Sequence, residues 1–208
     1  MILLNFDTAL NKTYVAISKD GELLESKIVE NTEDNYHSAF LLSSIKDILK
    51  ENNLTPKDVD LISVNVGPGS FTGIRAGLTV AKVMAQELNV KIVPVESLKI
   101  LSKLNTTNKE SVVILDARRS MAYVYKNDKT ELLELEKVSE MIKDKDYELI
   151  TDKSISNLLN INSLVYEDGN YDLGKILNEI AYENKNTAIL PNELKALYIQ
   201  PPPVFTKK

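Results

Sequence analysis

One order of secondary-structure elements can be read twice along the chain, and each copy ends its first strand on an aspartate, Asp7 and then Asp116. Ile2 to Phe6, Thr13 to Lys19 and Glu22 to Glu30 have the apolar runs and alternation of strands, and Asp20-Gly21 between the last two signals a two-residue hairpin. From Tyr36 to Asn52 the apolar residues Phe40, Leu41, Leu42, Ile45, Ile48 and Leu49 recur at three and four, the period of an amphipathic helix. Pro56 and Asp58 punctuate the loop after it. Leu61 to Val66 then reads as a buried strand, Thr72 to Leu88 as a long helix and Lys91 to Val95 as a strand, a spacing that pairs the two strands in parallel. The order recurs with Ser111 to Leu115, Met121 to Lys126 and Thr130 to Leu135 as strands, Asn127-Asp128 marking the second turn. Shorter elements complete it: helices over 137–143, 154–159 and 173–182, with strands over 147–150 and 164–166.

Two copies of this order resemble the duplicated actin-like ATPase architecture, an α/β fold whose halves have ribonuclease H-like topology. The repeat predicts a first lobe over residues 1–104 and a reduced second lobe over 105–208, joined where Ser97 to Lys109 contains the polar run Asn105-Thr106-Thr107-Asn108. The tail from Gln200 contains Pro201-Pro202-Pro203, which excludes a helix and predicts an extended segment.

Composition narrows the chemistry. No cysteine is present, so disulfides, thiolate metal sites and a cysteine nucleophile are excluded. One histidine, His37, cannot furnish the two or three imidazoles of a zinc centre, and no metal site is expected. His37 itself, at the start of a helix, suits a solvated or capping position. A net charge of -5 argues against a protein-wide field that would steer the chain onto nucleic acid. Met1 to Phe6 lacks the basic start of a secretory signal, and nowhere do about 18 apolar residues run together, so a cytoplasmic protein without membrane contact is expected. Only three of the 25 basic residues are arginine, Arg75, Arg118 and Arg119. Arg118-Arg119 could meet a phosphate or a partner carboxylate, or form a solvated turn.

The run Gly67-Pro68-Gly69-Ser70-Phe71-Thr72-Gly73-Ile74-Arg75-Ala76-Gly77 follows an apolar strand and opens a helix. Glycines let backbone amides converge, Ser70 or Thr72 can cap, and a helix N-terminus favours an anion, so a phosphate site stands beside a purely structural strand-to-helix turn. The Gly-Lys-Ser/Thr ending of a Walker loop is missing. In the helix that follows, Gly73, Gly77, Ala81 and Ala85 recur at four, a stripe that would let another backbone come close, either the chain's own sheet or a partner. Ile74, Leu78, Val80, Val83 and Met84 cover much of the remaining circumference.

The run Gly67 to Ala81 resembles the TsaB (YeaZ) family, together with Asp7-Thr8, His37-Ser38, Leu115-Asp116-Ala117-Arg118 and Ala196-Leu197-Tyr198-Ile199-Gln200. Members of that family take part in making threonylcarbamoyladenosine in tRNA. The family ending looks like Tyr-Leu-Arg, where this chain has Tyr198-Ile199-Gln200. The resemblance implies a non-catalytic scaffold and activator that pairs with a TsaD-type transferase, works with a TsaE-type ATPase, and meets tRNA only through the complex. It also implies a homodimer in isolation. No cofactor is required by the chain itself, and ATP or ADP is expected, if bound, at the partner interface. Active actin-like ATPases carry glycine two residues after the first-strand aspartate, where this chain has Ala9.

On this reading Phe40, Leu41, Ser44, Ile45 and Ile48 of the first helix form the partner face. Phe71, Gly73, Ile74, Gly77, Leu78, Ala81, Lys82 and Ala85 of the second helix complete it. Ala81→Arg is accordingly expected to abolish pairing and leave the monomer folded. Asp7, Thr8, Gly67, Gly69, Ser70, Thr72, Asp116 and Arg118 form a vestigial nucleotide or phosphate site. The alternative is an ATP-dependent magnesium phosphotransferase or hydrolase using Asp7 and Asp116; a direct RNA-binding module is a further rival.

Overall fold

The computed structural model describes residues 1–30, 40–197 and 199, which leaves His37, Ser38, Tyr198, Gln200 and the proline-containing tail outside the described residues. The chain divides into two units, one of residues 1–100 and 170–196, the other of residues 101–169 and 197–208.

The first unit is built on a five-stranded sheet in the order β3-β2-β1-β4-β5. Its strands are β1 (Ile2–Asp7), β2 (Thr13–Lys19), β3 (Glu22–Val29), β4 (Leu61–Asn65) and β5 (Lys91–Val95). Positive φ at both Asp20 (52°) and Gly21 (91°) gives the turn between β2 and β3 the twist that a tight hairpin needs. β1, β4 and β5 run parallel, as the strand–helix–strand spacing requires. Helices α1 (Leu41–Glu51) and α2 (Phe71–Leu88) share the face of Val64, while α6 (Leu173–Glu183) packs on the face of Asn5 and Tyr14. The helix α3 (Ser97–Ser102) occupies the start of the stretch read from sequence as a linker.

The second unit repeats the layout with β6 (Ser111–Arg118), β7 (Met121–Lys126), β8 (Lys129–Glu134), β9 (Glu148–Thr151) and β10 (Leu164–Val165), ordered β10-β9-β6-β7-β8. Helices α4 (Leu135–Ile142) and α5 (Lys153–Leu159) bury Val138 and Ile155 against Val112, Ile114, Ala122 and Val124. Asn127 and Asp128, with φ of 51° and 57°, make the second tight hairpin. The two sheets therefore have one connectivity, the duplicated α/β architecture of actin-like proteins.

The position of α6 departs from the sequence-based division at residue 104. In sequence it closes the second copy, yet it docks on the first sheet. Its buried face, Leu173, Gly174, Leu177, Asn178, Ile180 and Ala181, contains a polar residue that matches that sheet. Asn5 donates to the Asn178 carbonyl across 2.9 Å, and Asp172, the N-cap, accepts from Ser26 at 2.7 Å and from the Lys175 amide at 3.0 Å.

The small-residue stripe of α2 faces the chain's own sheet. A β-carbon at Gly73 would overlap the Thr8 carbonyl oxygen, and one at Gly77 would lie 2.7 Å from the Thr8 hydroxyl and 3.5 Å from Val64. Ala81 and Ala85 are fully buried, with Ile74 and Leu78 beside them. In α1, Leu41, Ser44, Ile45 and Ile48 are buried in the same way. These ten residues, expected from sequence to meet a partner, are core, because the two helices must cover the largely apolar sheet face before they can offer anything outward. Of the expected interface, Phe40 and Phe71 are exposed and Lys82 is half-buried. Ala81→Arg should therefore unfold the protein and not merely unpair it. Burying an unpaired charge costs roughly 4 kcal/mol or more, equivalent to a fall in Tm of about 10 °C or loss of the transition. Val83→Arg, on the opposite face of the same helix, should keep Tm within about 2 °C. Thermal unfolding by circular dichroism distinguishes them, and a native-like Tm for Ala81→Arg would contradict this packing.

Candidate functional site

β1 delivers Asp7 to the end of the central strand, where it is fully buried. One carboxylate oxygen accepts the Ala9 amide at 2.6 Å, and the other accepts the Asn65 side-chain amide at 2.9 Å. Burial outweighs these hydrogen bonds and pushes the Asp7 carboxyl up to about 6. Tyr14, its cross-strand neighbour, is pushed above the ordinary phenol range by burial first and then by the charge of Asp7.

Asn65 ends β4 and is the hub of the turn. Its carbonyl oxygen accepts the Gly67 amide and the Ser97 hydroxyl, each at 2.9 Å, and the Gly67 carbonyl in turn accepts the Ser97 amide at 2.9 Å. Gly67 holds φ of 102°, a region that side chains disfavour. The turn then climbs to Ser70, whose hydroxyl caps α2 by accepting the Gly73 amide at 3.2 Å.

What lies on the glycine-rich turn is the chain itself. The Ala9 carbonyl accepts the Ser70 amide at 2.8 Å, and the Thr8 hydroxyl donates to the Gly73 carbonyl at 2.7 Å. The Thr8 carbonyl sits where a side chain on residue 73 would be, and the Ala9 carbonyl does the same over Gly69. The Thr8 and Ala9 carbonyls thus pack directly against the turn at Gly73 and Gly69. Asp7, Thr8, Gly67, Gly69 and Ser70 are brought together as the sequence suggested, but as a sealed structural joint. Thr72 points outward as an exposed residue.

Asp116 and Arg118 lie in the second unit and form a parallel joint. Asp116 accepts the Arg118 amide at 2.7 Å, the Ser154 hydroxyl at 2.9 Å and the Arg118 guanidinium at 3.0 Å. Asp152, which follows β9 and is the N-cap of α5, accepts the Asp116 amide and the Ile155 amide, both at 2.7 Å. Its carboxyl is pushed up, by burial first and then, more weakly, by the charges of Glu167 and Asp116. Arg118, Arg119 and Ser120 all hold positive φ in the turn, so Arg118 folds back onto its own aspartate. Among the described residues no group of three or more His, Cys, Asp or Glu is placed to hold a metal ion. No described helix is long and apolar enough to cross a membrane.

Among the charged residues that make up much of the surface of the first unit, α1 and α2 also expose large apolar side chains. Leu42 is 60% exposed on α1, and Phe71 and Val83 are 51% and 54% exposed on α2. Between the two helices opens a cleft of about 670 Å³ lined mainly by Leu42, Ile45, Leu49, Leu54, Val83, Met84 and Leu88, with Lys46, Lys50 and Glu87 at its margin. Leu42, Leu49, Leu54, Val83, Met84 and Leu88 were absent from the expected interface, although the helical period marked Leu42, Leu49, Val83 and Met84. Arg75 lies over the Phe71 ring, 5.4 Å from its centre, at the outward start of α2.

Residues 27–187 match the model of a family described as TsaD, tRNA N6-adenosine threonylcarbamoyltransferase. The tRNA threonylcarbamoyladenosine biosynthesis protein TsaB of Bacillus subtilis (strain 168) is 31% identical over 133 residues, 61% of this chain and 57% of that relative. TsaB of Buchnera aphidicola (subsp. Acyrthosiphon pisum, strain APS) is 27% identical, with 96% of this chain and 98% of the relative aligned. Among solved structures, YeaZ from Pseudomonas aeruginosa shares the fold with a TM-score of 0.77 at 20% identity, over 95% of this chain and 100% of that one.

The buried Asp7 makes stability depend on pH. Its folded-state carboxyl, near 6, binds a proton more tightly than the unfolded chain's, near 3.8, so its contribution is greatest below about pH 4 and is lost as pH rises through 6. The loss is on the order of 3 kcal/mol. Urea unfolding of the wild type and of Asp7→Asn between pH 4 and 7 should show this downward component in the wild type alone. Parallel profiles would contradict the placement of an ionisable carboxyl there.

Proposed function

The chain belongs to the family of that TsaD model, on its TsaB (YeaZ) branch, and from this premise we propose that it serves tRNA threonylcarbamoyladenosine synthesis as a non-catalytic partner subunit of a TsaD-type transferase. The observation that carries the reading is the outward side of α1 and α2: exposed Leu42 and Val83 line an apolar cleft of about 670 Å³, and exposed Phe40 and Phe71 stand at the starts of the two helices. An open apolar cleft flanked by exposed apolar side chains suits a protein partner. A homologous transferase has its own helix pair at the corresponding place in the fold, and two such pairs can pack ridges into grooves. A second copy of this chain would compete for the same face.

The sealed joint supports the non-catalytic half of the reading. Asp7 has both oxygens engaged and no exposure, so it presents no free carboxylate to a substrate or a cation. The Thr8 and Ala9 carbonyls packed on the glycine-rich turn support placing ATP or ADP at the partner interface rather than on this turn. The chain acts by differential binding: docking favours the transferase conformation that it binds more tightly. A TsaE-type ATPase and tRNA then engage the complex.

Leu42→Glu combined with Val83→Glu places two charges on the docking strip without touching the core. The double variant should keep the wild-type Tm within about 2 °C and weaken one-to-one association with the same organism's TsaD-type protein at least tenfold. Size-exclusion chromatography with light scattering and a titration read both. An unchanged complex would move the docking face elsewhere, and a wild-type chain that binds no transferase would remove the partner reading.

A further inference from the structure

We propose that the buried pair Asp7–Asn65 is a positioning device for the docking face, setting the angle at which the first turn of α2 presents Phe71 and Arg75. The proposal rests on the docking reading above. A continuous path of short contacts runs from the pair to the surface. Asp7 fixes the Ala9 amide at 2.6 Å, the Ala9 carbonyl fixes the Ser70 amide at 2.8 Å, and the Ser70 hydroxyl and carbonyl fix the amides of Gly73 at 3.2 Å and Ile74 at 2.8 Å. From the other side Asn65 fixes Gly67, where the turn begins, and Ser97, where β5 gives way to the next helix. The first turn of α2 is thus gripped on both flanks by one carboxylate–amide pair. Phe71, with Arg75 over its ring, stands directly on that turn.

The requirement is for a complete set of hydrogen bonds more than for the aspartate itself. The Asn65 side chain donates to Asp7 and accepts twice, from Gly67 and Ser97, so all its polar atoms are used. Asp7→Asn alone can place one amide donor against another, and Asn65→Asp alone places two carboxylates together. Exchanging both, Asp7→Asn with Asn65→Asp, keeps the set intact: the carboxylate at position 65 accepts from Gly67, Ser97 and the new amide, whose carbonyl still accepts from Ala9. A phosphate- or cation-binding role would need the charge at position 7 and would not survive the exchange.

Hydrogen–deuterium exchange of the free chain tests the proposal directly. In each single variant the amides of residues 70–75 should exchange at least tenfold faster, while those of α1 and of β1 to β4 stay within twofold of wild type. The exchanged pair should return the first turn to within twofold. Affinity for the TsaD-type transferase should fall at least tenfold in the single variants and recover in the exchanged pair. A residue that merely supports global stability would raise exchange throughout the sheet, and that outcome overturns the proposal, as does an unchanged first turn in the single variants. If a single variant does not fold, the exchanged pair alone decides: native first-turn protection and affinity uphold it, and loss of either overturns it. A wild-type chain that binds no transferase overturns the docking reading, while the exchange pattern still decides the role of the pair.

Discussion

The first unit depends on the seating of two backbone carbonyls, those of Thr8 and Ala9, on the glycine-rich turn that opens α2. The seat forces glycine at position 73, where any side chain would meet the Thr8 oxygen. It brings α2 close enough to β1 and β4 to bury Ala81 and Ala85 completely. It also requires the exit of β1 to curl back over the turn, which the Asp7 carboxylate accomplishes by holding the Ala9 amide. A buried carboxyl pushed up to about 6 is the thermodynamic cost of that arrangement, and Asn65 offsets part of it.

Once α1 and α2 use their small and aliphatic faces on the sheet, their large apolar residues left outward are Leu42, Phe71 and Val83, with Phe40 just before α1, among polar and charged neighbours such as Lys46, Lys50 and Arg75. The proposed docking face is thus what the packing of the two helices leaves over. The second unit repeats the joint with different parts. Asp116 holds the amide two residues on, as Asp7 does, while Asp152, just past β9, accepts the Asp116 backbone amide where Asn65 donates to the Asp7 carboxylate. There the arginine of the turn closes onto its own aspartate.

Much of this was legible in the residues. Asp20-Gly21 and Asn127-Asp128 marked both hairpins because tight turns need positive φ, and few residue types supply it. The parallel pairing of β4 and β5 followed from spacing alone. The direction of the α2 stripe did not, since a period of four says which residues share a face and not what that face meets. The destination of α6 was hidden for a related reason: its apolar pattern fits either sheet, and the deciding contacts, Asn178 to Asn5 and Asp172 to Ser26, join residues 173 and 146 positions apart. Asn65 and Ser97 escaped notice because each is one polar residue at the end of a strand, with meaning only once Asp7 is placed beside it.

The central claim is that the chain's own carbonyls close the glycine-rich turn, so the first unit contributes packing and a docking face but no phosphate chemistry. The most direct test is isothermal titration of the isolated chain with ATP and Mg²⁺. The account predicts no saturable heat up to millimolar nucleotide, in the wild type and in Asp7→Asn alike. Saturable binding at micromolar nucleotide that is lost in Asp7→Asn would contradict it.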